Sequence, residues 1–76
     1  MEKKINDILS EIRPEFDFYN ETDFIEQGML DSFDIVSLVS TLDKEFDISI
    51  DGLDILPENF SSIKSIIALI KKNGAK

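Results

Sequence analysis

Ser32 is the residue whose type and setting most suggest chemistry. It sits in Gly28-Met29-Leu30-Asp31-Ser32-Phe33-Asp34, where a long connecting segment meets a helical pattern. A hydroxyl at such a junction suits two roles. As an N-cap it would accept a hydrogen bond from one of the free N–H groups of the first turn. As the acceptor of a phosphoryl group it would be exposed at a loop edge, beside those N–H groups and the positive end of the helix dipole. No base lies in the motif to activate the hydroxyl, so the second role requires an external enzyme. The chain contains no Cys and no His. It can build neither a Cys nucleophile nor a His-based triad, disulfide or Cys-containing zinc site.

Residues 47–58 offer a second constellation. Asp47, Ser49, Asp51, Gly52 and Glu58 fall at the first, third, fifth, sixth and twelfth places of an EF-hand-like calcium loop. Asp54 at the eighth place and Pro57 at the eleventh fit that pattern poorly, and no second loop exists to pair with it. The competing reading is an acidic connection with a glycine turn, and the expected metal ligands are none.

Charge narrows the function classes. The chain has 76 residues and a net charge of −8, which argues against a nucleic-acid binder with its basic footprint. The charge is unevenly spread. Residues 1–13 are balanced, and residues 14–60 carry thirteen acids against the single base Lys44. Residues 61–76 carry four lysines and no acid. An acidic middle suits a basic partner, although it also keeps a small protein soluble. Apolar residues make up 42% of the chain, too many for a disordered acidic tail. One domain over residues 1–76 is expected. The opening MEKKINDILSEIR lacks the apolar stretch of a signal peptide, and no run approaches a membrane span. The expectation is a cytoplasmic monomer without membrane insertion.

The elements that must position Ser32 follow from apolar spacing. Ile5, Ile8, Leu9 and Ile12 recur at i, i+3, i+4, i+7 and predict an amphipathic helix over 3–13, ended by Pro14. Residues 14–31 form a long connection whose aromatics must pack onto the core. A helix then starts at Asp31 or Ser32, both good caps, and runs to Phe46. At 100° per residue, Ile35, Leu38, Val39, Leu42 and Phe46 cluster within about 100° as the core face. Phe33 and Val36 fall on the opposite face, beside Ser37 and Ser40, where apolar side chains are anomalous. Leu53–Leu56 reads as a short strand or a single helical turn, the turn being favoured. Ser61 or Ser62 caps a last helix carrying Ile63, Ile66, Ile67 and Ile70, with Lys71 and Lys72 at its negative end.

Gly28 to Phe33, followed by Ile35-Val36-Ser37-Leu38-Val39, resembles the attachment motif of acyl carrier proteins and peptidyl carrier domains. The likeness extends to Asp23-Phe24-Ile25-Glu26-Gln27-Gly28, to Glu45-Phe46-Asp47-Ile48 and to Glu58-Asn59-Phe60-Ser61-Ser62-Ile63. The resemblance implies an all-α, acyl-carrier-like four-helix bundle, with three main helices plus one short. It implies that Ser32 accepts 4′-phosphopantetheine from coenzyme A through a separate phosphopantetheinyl transferase. Asp31 would orient the helix start and contact that transferase. Phe33, Asp34, Val36, Asp43 and Glu45 would form the partner-docking face. The partners implied are an acyl- or amino-acid-activating ligase and downstream acyltransferase or synthase enzymes, with no catalysis by the chain itself. The missing Cys agrees, because a thioester carrier of this composition must import its thiol. Leu30-Asp31-Ser32-Phe33 looks like stand-alone D-alanyl and aminoacyl carriers, with fatty-acid synthesis left open. The alternative from another class is an acidic helical interaction module in which Ser32 is a plain cap.

Overall fold

The structure, a computed structural model, describes residues 1–74. Three helices form where apolar spacing requires them: α1 at Glu2–Ile12, α2 at Ser32–Phe46 and α3 at Ile63–Lys72. No strand occurs among the described residues. Each boundary has a local cause. Arg13, preceding Pro14, is extended at φ −137°, ψ 82° and stops α1. Asp47 takes the left-handed conformation at φ 53° and ends α2, its N–H donating to the Asp43 carbonyl. Ser62 caps α3 by accepting from the Ser65 N–H.

The short helical element expected before Pro57 forms as a 3₁₀ turn, and a second one follows it. The two turns are Gly52–Asp54 and Pro57–Phe60. Pro57 has no N–H to continue a preceding turn, and its fixed φ suits the first position of a new one. The segment therefore breaks in two. The strand considered for Leu53–Leu56 does not form.

The core is shared by helices and connections. Ile5, Ile8 and Leu9 of α1 meet Leu38 and Leu42 of α2, and Ile63, Ile66, Leu69 and Ile70 of α3. Ile12, Ile35, Val39, Phe46 and Ile67 pack at the margin, half-buried. In α3 the buried arc is centred between Ile66 and Ile70, so it takes in Leu69 and leaves Ile67 at its edge.

The long connection is tied to this core at Phe24. Its side chain is fully buried against Phe18, ring centroids 5.0 Å apart and edge-on. Its N–H donates to the Ser61 carbonyl at 2.9 Å, and its own carbonyl accepts from Met29 N–H at 2.8 Å. Gly28 turns the chain at φ 73°, a conformation that costs a glycine little. Met29 and Leu30 are then buried, and the chain is delivered to Asp31.

Candidate functional site

The start of α2 is held by two carboxylates. Asp31 is the N-cap: its Oδ1 accepts from the Asp34 N–H at 2.9 Å, while Asp34 Oδ2 accepts from the Asp31 N–H at 3.1 Å. This is a reciprocal capping box. Of the two caps the sequence allowed, Asp31 takes the role, and Ser32 becomes the first helical residue. Ser32 is exposed, at a helix terminus whose capping is performed by its neighbour.

Arg13 fastens this box to the end of α1. Its Nε donates to Asp34 Oδ2 at 2.8 Å, and Nη2 donates to Asp31 Oδ2 at 3.3 Å. Glu15 lies 3.6 Å from Nη1. The hydrogen bond from the Asp34 N–H, helped by Arg13 and by the Phe33 N–H, holds the Asp31 carboxyl below its ordinary value. The Asp34 carboxylate in turn pushes the Arg13 guanidinium above its own.

A carboxyl with a depressed native pKa stabilises the fold above its unfolded pKa and loses that contribution as pH falls through the native one. The Asp31 contribution to stability should therefore be constant above about pH 5 and be lost as pH drops below about 4. Asp31→Asn should melt lower at neutral pH and show a shallower acid limb. An acid limb identical to that of the parent would remove Asp31 from the account.

The other expected site residues separate onto two sides of α2. Phe33 is 82% exposed and Val36 is 67% exposed, with Ser37, Ser40 and Lys44 also open to solvent. Asp34 and Glu45 lie on the side facing α1. The Asp34 side chain is only 13% exposed because Arg13 covers it. Glu45 pairs with Lys4 at 3.4 Å, and the same ammonium sits 5.2 Å from the centroid of the Phe46 ring. Asp43 Oδ1 accepts from the Ile50 N–H at 3.0 Å and folds the following loop back. Three acids expected on one docking face thus have partners within the chain, while the apolar pair stands free of the core. The Arg13 clamp was not foreseen. The signal for it was present, because Arg13 is the one base between Lys4 and Lys44.

The calcium-loop residues do not converge. Asp47 ends α2, Asp51 Oδ1 accepts from the Leu53 N–H at 2.9 Å, and Asp54 pairs with Lys72 at 2.8 Å. Among the described residues no group of three or more Asp, Glu, His or Cys is placed to hold a metal ion.

Ser32 thus presents an exposed hydroxyl at a capped helix start in an all-helical fold. The family model described as "Phosphopantetheine attachment site" matches residues 3–70. The chain belongs to that family. Its members carry 4′-phosphopantetheine covalently, and the match takes in α2, both connections and most of α1 and α3. No curated protein matches the chain. Among the described residues no helix is long and apolar enough to cross a membrane.

The residues present fit the group. The Ser32 hydroxyl lies outside the capping box, which Asp31 and Asp34 close between them. Phe33 and Val36 lie beside this serine and stand free of the core, an uncommon placement for apolar side chains.

Proposed function

We propose that the chain is an acyl or aminoacyl carrier, a single carrier domain over residues 1–76, with Ser32 as the point of attachment. The observation that supports this best is the division of labour at the α2 start. Asp31 and Asp34 close the cap between them, which leaves an exposed serine hydroxyl beside a fixed helix terminus. The bound group supplies a thiol on a long arm, which holds cargo as a thioester.

Ser32 Oγ forms a bond to the phosphorus next to the pantetheine arm of coenzyme A. The pyrophosphate bond breaks, adenosine 3′,5′-bisphosphate leaves, and the hydroxyl proton passes to a base. That base is not in this chain. Asp31 and Asp34 are engaged with each other's N–H groups and with Arg13, and no His is available. A phosphopantetheinyl transferase must supply it. The chain then serves an activating ligase and downstream acyltransferase or synthase enzymes without catalysing their reactions. The D-alanyl-like Leu30-Asp31-Ser32-Phe33 run favours an amino acid as cargo over a fatty acyl chain.

Incubation with coenzyme A and a promiscuous phosphopantetheinyl transferase should add one phosphopantetheine, located at Ser32 by peptide mapping. No addition by a transferase active on another carrier would overturn the assignment and favour the interaction-module reading.

Phe33 and Val36 are the docking pair. Phe33→Ser should change stability by no more than about 0.5 kcal/mol, because the ring is largely in water. An aromatic anchor lost from an interface costs about 2 kcal/mol, so the transferase KM should rise by roughly tenfold or more. Unchanged kinetics would remove Phe33 from the interface.

A further inference from the structure

We infer that Arg13 is the positioning residue of the attachment site, joining Asp31 and Asp34 to the end of α1 and supplying the positive charge that offsets a phosphodiester on Ser32. The inference rests on the carrier reading of Ser32. Pro14 ends α1 at Ile12, and the Arg13 guanidinium then spans eighteen residues of sequence to Asp31 and twenty-one to Asp34. Both partners belong to the box that fixes the residue before Ser32 and the residue two beyond it. Among the described residues, the ion pairs made by these two carboxylates come from Arg13 alone.

The charge arithmetic is what makes this arrangement matter. Asp31, Asp34 and Glu15 surround one guanidinium, so the site carries three negative charges against one positive. A phosphodiester on Ser32 adds a fourth negative charge, one residue from Asp31. The N–H groups of the helix start favour an anion there, whereas the two neighbouring carboxylates oppose it. The guanidinium stays charged at any physiological pH. It acts on an anion within about 8–10 Å through solvent, so direct contact is not required. Glu15, Asp31 and Asp34 are all acids, so losing Arg13 would leave the modified serine among like charges.

The test compares melting temperatures of unmodified and phosphopantetheinylated protein, for the parent, Arg13→Gln and Arg13→Lys, at low salt. Arg13→Gln keeps donors but removes the charge, and Arg13→Lys keeps the charge but loses the fork. A purely structural clamp would lower both forms of each variant equally. The inference predicts that modification lowers the melting temperature of Arg13→Gln by about 3 °C more than that of the parent. It predicts no such excess for Arg13→Lys, and shrinkage of the Arg13→Gln excess in about 0.5 M salt. Equal effects of modification in the parent and Arg13→Gln would overturn it.

The parent chain gives a second readout that needs no variant to fold. The Arg13 Nε–H resonance, whose proton is donated to Asp34, should shift when Ser32 is modified. An unmoved resonance would count against the inference. A chain that gains no phosphopantetheine at all overturns the Ser32 assignment itself, before any melts are compared.

Discussion

Ser32→Ala should abolish phosphopantetheine attachment completely and leave the fold almost untouched. The first half follows from chemistry, since an alanine has no oxygen to bond to phosphorus. The second follows from the helix start. If Ser32 were the N-cap, its replacement by alanine would cost about 1 kcal/mol. Asp31 holds that position instead, with Asp34 completing the box. An exposed first-turn residue outside the cap contributes within about 0.5 kcal/mol, and alanine has the best intrinsic helix propensity. The melting temperature should therefore shift by no more than about 4 °C. Intact mass after treatment with coenzyme A and transferase reads the first half, and a circular-dichroism melt reads the second. Ser37 and Ser40 are exposed on the same helix and serve as internal controls. A residual mass gain in Ser32→Ala would move the attachment point to one of them. A loss of several kcal/mol with no effect on attachment would mean that the serine is chiefly structural.

How far this site could be read in advance varied with the interaction concerned. Apolar spacing identified the core face of α2 through Leu38 and Leu42, and it placed Phe33 and Val36 on the outside. Helical periodicity is a local property and survives folding. Asp31 and Ser32 could both cap, and sequence did not choose between them. The structure resolves it through the reciprocal box that Asp31 forms with Asp34, downstream of the buried Met29 and Leu30. The roles of the acids were the least legible. Asp34 and Glu45 resembled Asp31 as surface carboxylates, yet α1 brings Arg13 and Lys4 against them. Pairings across more than twenty residues leave no periodic trace. The acidic middle of the chain is consequently less free for partners than its composition suggests, and the exposed apolar pair beside Ser32 gains weight as the recognition feature.

Phe24→Ala should be the most destabilising of the substitutions considered, at about 3–5 kcal/mol. A domain of this size has roughly 4–11 kcal/mol to lose, so the variant would forfeit about half of its stability. The magnitude rests on two linked facts. The ring is fully buried, and it packs edge-on against Phe18, so truncation leaves a cavity beside a second aromatic. The Phe24 backbone also joins the long connection to the segment before α3, through Ser61 on one side and Met29 on the other. Without the ring, Phe18, Met29 and Leu30 remain to hold the connection on the core, beside a cavity that weakens their packing. The urea midpoint should fall steeply while the slope of the transition stays constant if the whole domain unfolds as one unit. Limited proteolysis should then cut first in the connection, and transferase modification of Ser32 should slow, because Met29 and Leu30 no longer deliver Asp31 to its cap. Phe24→Leu keeps most of the buried volume and should retain both folding and modification. If Phe24→Ala cost less than about 1 kcal/mol, the connection would be packing onto the helices without adding to their stability. The cap on α2 would then be set by the Asp31–Asp34–Arg13 contacts alone, with no contribution from the chain that leads into it.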